Sequence, residues 1–291
     1  MQVQIFSQNI LNGNVTNYAL ESETFTFNGG EEHIRFTNAQ EELDGNTKIL
    51  KIAMTTRLVT SSQIMQLLMA VDALRRLFGQ YAPLELSCAY FPYARQDRVC
   101  NTGEALGAKV FAEIINNLKL SKVIILDAHS DVVPALLNNV VNRSQIDTIK
   151  QNPAFLASLT SKRFTLVAPD AGASKKTQNL AKALGGLSVV QAEKVRDTQT
   201  GQITGTELHS DVQGQDLMVI DDICDGGRTF VELAKVAKAK GCKSVSLYVT
   251  HGIFSKGLEV FDGLIDAIYT TDSFHETALA SQSKNLTIRT I

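Results

Sequence analysis

The chain has 291 residues, of which 44% are hydrophobic and 20% charged, and carries a formal net charge of −2. This mix excludes a disordered or fibrous chain. The near-neutral charge provides no global attraction to nucleic acid, and no stretch approaches the ~18 apolar residues of a membrane span. The length suits two α/β domains, with the boundary expected near Asn142 to Lys150, so that residues 1–145 and 146–291 form the two halves. Cys88, Cys100, Cys224 and Cys242 show neither a C-x-x-C pair nor zinc-like spacing, which fits reduced thiols in a cytoplasmic setting. The start, MQVQIFSQNILNG, lacks the basic-then-apolar order of a secretion signal.

In chain order, KILKIAM predicts a strand. A helix from about Gln63 to Phe78 follows, with Ile64, Leu67, Leu68, Val71, Leu74, Leu77 and Phe78 on one side and Gly79 as its stop. LELSCAYF reads as a second strand. The next helix, from about Glu104 to Leu118, repeats the pattern with Leu106, Val110, Phe111, Ile114, Ile115 and Leu118. KVIILDAH is a third strand, after which residues 138–162 read as polar and irregular. FTLVAPD, a helix, LSVVQAE, LMVIDDI and SVSLYVTHGIF then resume the alternation. Buried strands that end in polar residues and feed helices indicate α/β architecture with mostly parallel sheets. Residues 193–208, EKVRDTQTGQITGTEL, read as a mobile loop or hairpin of the kind that covers active sites.

Polar residues gather where strands end. VIDDICDGGRT, Val219 to Thr229, sets an apolar strand, three acids and a glycine pair before a helix. Backbone N–H groups at such a turn can hold a phosphate, while the acids suit ribose hydroxyls; the same acids could instead cap the helix. LVAPDAGASKK has small residues at a second strand-to-helix turn, where Asp170 could bind Mg²⁺ or serve as an N-cap. LDAHSD places Asp127, His129 and Asp131 at a strand's carboxyl edge, where ligands collect, although a lone histidine is as often structural. FPYARQDR supplies Arg95, Gln96, Asp97 and Arg98, and guanidinium groups suit phosphate oxygens. Lys194 and Arg196, two apart, point to one side of an extended segment and suit phosphoryl transfer, where charge must be neutralised and water excluded.

Taken together, FPYARQDR, LDAHSD, APDAGA, EKVRD, VIDDICDGGRT and YVTHGIFS resemble, in order and spacing, the ribose-phosphate diphosphokinases (phosphoribosyl diphosphate synthetases). The resemblance covers roughly Phe27 to Ser273 and implies two phosphoribosyltransferase-like domains. It also implies Mg²⁺-dependent transfer of the diphosphoryl group of ATP to O1 of ribose 5-phosphate, leaving AMP. By the same resemblance Asp221 and Asp222 meet the ribose hydroxyls, and Asp225, Gly226, Gly227, Arg228 and Thr229 cradle the 5-phosphate. Asp170, Ala171, Gly172 and Ala173 form the diphosphate loop. His129 and Asp170 match metal positions, Arg95 and Gln96 hold ATP, and Lys194 and Arg196 are catalytic. Phe27 and Glu31, in FNGGEEHIRF, resemble a segment lent to a neighbouring subunit's adenine pocket, which implies a homo-oligomer, dimer or hexamer.

Four departures stand beside that resemblance. The segment before FNGGEE is too short for the usual first βα unit, and LTIRTI ends without the expected final helix. Arg228 stands where relatives carry a small residue, and Gly29 replaces a common polar one. Two alternatives remain at this point. A phosphoribosyltransferase would explain VIDDICDGGRT but not FPYARQDR or LDAHSD, and a non-catalytic regulatory homologue should have lost the loop cations or metal ligands that are present here.

Overall fold

The computed structural model describes residues 1–39, 46–161, 163–196, 203–275 and 287–290. It divides into two compact units, Met1–Arg143 and Ser144–Ile291.

The first unit opens with β1 (Gln2–Asn9) and β2 (Val15–Leu20), a hairpin, followed by a second hairpin of β3 (Ser22–Thr26) and β4 (Glu32–Phe36). No helix separates β1 from β5 (Thr47–Thr55) among the described residues. Helix α1 (Ser61–Phe78) begins two residues earlier than its apolar periodicity indicates. The reason is a capping box: the Gln63 N–H donates to Thr60 Oγ1 (3.2 Å) and the Thr60 N–H donates to Gln63 Oε1 (3.0 Å). Gly79, at φ 95°, ends the helix as expected.

After β6 (Leu84–Ser87), α2 (Gly107–Asn117) is shorter than expected at its start. The Glu104 carboxylate accepts the N–H groups of Cys100 (2.9 Å) and Asn101 (3.0 Å), which holds residues 100–104 as a turn. Val110 and Ile114, expected in the core, are exposed, because the buried stripe runs instead through Ala108, Phe111, Ala112 and Ile115. β7 (Lys122–Leu126), α3 (Val132–Leu136) and β8 (Val140–Arg143) complete the unit. Its sheet has the order β2-β1-β5-β6-β7-β8, parallel from β5 to β8. One apolar cluster, including Ile5, Ile52, Met54, Leu67, Leu86 and Phe111, forms its core.

The stretch expected to be irregular is in fact ordered. Besides β8 it contains α4 (Gln145–Gln151) and α5 (Pro153–Thr160). Polar side chains mask these helices because they cap them: Ser144 pairs with Asp147 in a capping box, and Asn152 caps α5 with Pro153 at its first position.

The second unit continues with β9 (Phe164–Ala168), α6 (Ala171–Ala183), β10 (Val189–Arg196), β11 (Ile203–Leu208), β12 (Asp216–Cys224), α7 (Arg228–Ala239), β13 (Ser244–Gly252), β14 (Ala267–Thr270) and β15 (Thr287–Thr290). The order is β11-β10-β9-β12-β13-β14-β15, with only β11 antiparallel. Strand order reverses between β9 and β12, so the crevice beyond their carboxyl ends is a topological switch point. Alternating β12 residues face two cores. Leu217 and Val219 join Phe230 and Leu233 of α7, while Met218 and Ile220 join Leu180 and Ala181 of α6. The two helices thus leave the switch point on opposite faces.

At the other end of β12, buried Asp216 accepts hydrogen bonds from the Ser244 hydroxyl and from Lys243 Nζ at 3.2 Å, and lies 3.5 Å from Arg163. The Ser244 hydrogen bond foremost, with Lys243 and Arg163 adding their charges, holds its carboxyl below the usual range despite burial. A depressed folded-state value contributes stability above the unfolded pKa near ~3.9, and that contribution disappears as pH falls through the lower folded value. Asp216→Asn is therefore expected to lose about 1–3 kcal/mol at pH 7. In urea unfolding the gap to wild type should close as pH falls below about 4; a gap unchanged at acid pH would contradict this origin.

Candidate active site

Two strand-to-helix junctions of the second unit meet at its switch point. After β12, residues 225–227 turn the chain into α7, whose N-cap Gly227 is left-handed (φ 77°) and has no capping side chain. The Phe230 and Val231 N–H groups both donate to Gly227 O at 3.0 Å, and the Gly227 N–H is spent on the Cys224 thiol. Among the described residues, the Gly226, Arg228 and Thr229 N–H groups have no protein acceptor. Three amides and a helix N-terminus left open in this way form a cradle for an anion.

The acids lie one step back on the strand. Asp221 is half-buried and Asp222 buried, and the Asp222 N–H donates to Asp221 Oδ1 at 2.9 Å. Burial first, then the neighbouring Asp222 carboxylate and the charge of Asp170, push the Asp221 carboxyl well above the ordinary carboxylate range. Asp170 follows β9 and caps α6, its Oδ1 accepting the Ala173 N–H at 3.1 Å. The charge of Asp170 also acts on Asp221. Ala171 and Gly172 are exposed and Ala173 half-buried at the first turn of α6. Hard carboxylate oxygens of this kind suit a divalent cation, although no cluster of three or more His, Cys, Asp or Glu poised for a metal occurs among the described residues.

Several supports carry no sequence signal. Buried Gln145, at the start of α4, donates from Nε2 to Asp221 O (2.8 Å) and Thr250 Oγ1 (3.4 Å), fixing the end of β12. The Asp225 carboxylate is engaged by the Ser255 hydroxyl at 2.6 Å. Lys194 and Arg196 lie on β10, opposite Thr206 and Ile203 of β11 in an antiparallel hairpin with a register shift at residues 195–196. The remainder of that expected loop, residues 197–202, lies outside the described residues.

In the first unit, the loops after the paired parallel strands β6 and β7 carry the other candidates. Arg95 and Gln96 are exposed. Gln96 joins its loop to α2 through the Ala108 N–H, 3.1 Å from Gln96 O, and its side chain lies where any Cβ on Gly107 would stand. His129 is exposed; before it, buried Asp127 adopts a left-handed φ of 47° and donates its N–H to Arg143 O at 2.7 Å. Phe27 and Glu31 close the β3–β4 hairpin, where the exposed rings of Phe25 and Phe27 meet edge to face at 4.8 Å, with His33 beside them.

Two family models match this chain. A family model described as the N-terminal domain of ribose phosphate pyrophosphokinase matches residues 8–118, and one described as a phosphoribosyl transferase domain matches residues 145–266. The chain is 29% identical over 249 residues to the ribose-phosphate pyrophosphokinase of Mycoplasmopsis pulmonis, covering 83% of this chain and 74% of that one. It is 28% identical to the Bradyrhizobium diazoefficiens protein of the same name, covering 86% and 78%. The fold matches that of a phosphoribosylpyrophosphate synthetase from Mycobacterium smegmatis with a TM-score of 0.76 at 19% identity, covering 94% of this chain and 87% of that one.

The glycine turn yields a direct test. A Cβ on Gly227 would stand 2.5 Å from Phe261 Cζ at a left-handed φ, whereas one on Gly226 would meet the flexible stem of Lys256 at 3.2 Å and Ser255 Oγ at 3.8 Å. Gly227→Ala is expected to cost about 2–5 kcal/mol from strain and overpacking together, and Gly226→Ala markedly less, as read by thermal unfolding. Equal losses would refute this account of the turn.

Proposed function

The chain belongs to the ribose-phosphate pyrophosphokinase family, and on that premise we propose that it transfers the diphosphoryl group of ATP to ribose 5-phosphate, giving phosphoribosyl diphosphate and AMP. The observation that carries this reading is the β12–α7 junction, with vicinal acids and an acceptor-free amide cradle, in a chain that also carries the pyrophosphokinase N-terminal domain. A phosphoribosyltransferase would have no use for that domain.

In this reading the 5-phosphate rests on the N–H groups of Gly226, Arg228 and Thr229, and the ribose hydroxyls meet Asp221 and Asp222. Burial and the neighbouring Asp222 charge raise the Asp221 carboxyl, and both carboxyl groups offer oxygens that accept from the ribose hydroxyls. O1 of the sugar, orientated by these contacts, attacks the β-phosphorus of ATP, the bond from that phosphorus to the α–β bridging oxygen breaks, and AMP leaves. The O1 proton passes to solvent. Arg95 and Gln96 hold ATP, and the small residues Ala171 to Ala173 admit its diphosphate to the amides at the start of α6. Lys194 and Arg196 neutralise the migrating group and its leaving oxygen.

Asp170 and His129 are each a candidate ligand for Mg²⁺, which when bound would supply charge neutralisation to the diphosphate. Phe27 and Glu31, at the tip of an exposed aromatic hairpin, serve the adenine site of a neighbouring copy, making the protein a homo-oligomer. All four cysteines are free, in keeping with a cytoplasmic setting. No helix among the described residues is long and apolar enough to cross a membrane.

A ³¹P NMR time course with ATP, ribose 5-phosphate and Mg²⁺ tests the reaction. AMP and phosphoribosyl diphosphate should appear in equal amounts; competent protein forming neither would refute it. Lys194→Ala should lower kcat about 10²–10³-fold with little change in ribose 5-phosphate binding, because its charge acts chiefly in the transition state. Comparable losses in both would make Lys194 a ground-state binding residue.

A further inference from the structure

The phosphate cradle has a second wall, formed by residues 253–256 after β13. The Ile253 and Phe254 N–H groups both donate to Cys224 O, at 2.8 and 3.1 Å, and the Ser255 N–H donates to Asp225 O at 3.1 Å. With the Ser255 hydroxyl on the Asp225 carboxylate, four hydrogen bonds tie this wall to the turn. Phe254 adopts a left-handed φ of 49°, and its ring fills the place of a Cβ on Gly252, so the bend out of β13 depends on glycine there.

This wall is clamped from behind by residues 271–275, which follow β14. Thr250 O accepts two hydroxyls, from Thr271 at 2.7 Å and Ser273 at 3.0 Å, which continue in side chains the ladder that β13 and β14 close at Val249 and Thr270. Ser273 has a single hydroxyl proton, given to Thr250 O, so at 2.8 Å its oxygen accepts from His251 Nδ1–H, which fixes the proton on that nitrogen. His275 Nε2–H donates to Ile253 O at 3.0 Å. Thr250, His251, Thr271 and Ser273 are all buried, where such bonds are strongest and most costly to lose.

The clamp gives one exposed cation a fixed root. The Lys256 stem lies on the glycine turn, its Cγ 3.2 Å from where a Cβ on Gly226 would stand. From that carbon the ammonium reaches about 4 Å further, enough to meet an anion held by the Gly226, Arg228 and Thr229 amides. Lys235, Lys238 and Lys243 of the same unit sit 3.0, 3.6 and 3.2 Å from carboxylates. Lys256, by contrast, forms no ion pair or hydrogen bond among the described residues.

We propose that Lys256 binds the 5-phosphate of ribose 5-phosphate across the glycine turn, and that Ser273 is a positioning residue that holds the Lys256 segment in place. This rests on reading the β12–α7 junction as the ribose 5-phosphate loop. Calorimetric titration of the full chain with ribose 5-phosphate, ATP absent, tests it. Lys256→Ala should weaken binding about 10-fold, as expected for one charge-assisted contact, and Lys256→Arg should restore most of it. In turnover the KM for ribose 5-phosphate should rise while kcat and the KM for ATP hold. Ser273→Ala should weaken binding in the wild-type background and add little in the Lys256→Ala background, because it acts through that side chain. Unchanged affinity in Lys256→Ala, or a KM increase confined to ATP, overturns the binding role; additive losses in the double variant overturn the positioning role. If wild type binds ribose 5-phosphate but makes no phosphoribosyl diphosphate, the reaction reading fails while the calorimetric comparison still decides Lys256. A wild type that binds no ribose 5-phosphate overturns both.

Discussion

The second unit is organised around unsatisfied backbone donors at a switch point. β9 and β12 are adjacent and parallel, but their helices pack on opposite faces. Both helices therefore begin at the same edge of the sheet, and the first N–H groups of each have no partner within the helix. At α6 the Asp170 side chain takes one of them. At α7 no side chain does, and the glycines keep Cβ atoms away from the open amides. An apolar core on each face holds this arrangement rigid, so the open donors are a permanent feature rather than a frayed end.

Negative charge is placed with the same economy. Asp221 and Asp222 follow the buried apolar run Leu217, Met218, Val219 and Ile220 near the end of β12. Burial foremost, and then repulsion from the Asp222 and Asp170 charges, displaces Asp221 upwards. Asp216, at the opposite end of the same strand, is displaced downwards by a hydroxyl and two cations. The contrast separates an acid held down by a hydroxyl and two cations from one raised by burial and like charge.

The first unit uses its parallel strands in a similar way, sending the loops with Arg95, Gln96 and His129 from the ends of neighbours β6 and β7. Its hairpin of β3 and β4 differs. Phe25 and Phe27 are about half exposed there, while Glu32 at the base is held by Gln66 of α1 and by Thr26. A rigid base beneath an apolar tip is suited to presenting that tip to another surface.

Much was legible in the residues alone. Strand and helix alternation followed from apolar periodicity, because burial on a sheet or helix face imposes it. The polar strand ends at Asp127, Asp170 and Asp221 stood out because acids do not belong in a continuous apolar run. Helices α4 and α5 were not legible, since Ser144, Asp147 and Asn152 read as loop residues until they are seen to cap backbone groups. Val110 and Ile114 looked like core, yet which side of an amphipathic helix is buried depends on what packs against it. The sequence by itself determined which chemical groups stand at which strand ends, because composition and period are local properties. Only the tertiary structure decided that β9 lies beside β12, that Gln145 and Ser273 brace segments about 76 and 22 residues away, and that Lys256 overlies Gly226. Those are contacts between residues distant in the chain, and no local pattern encodes them.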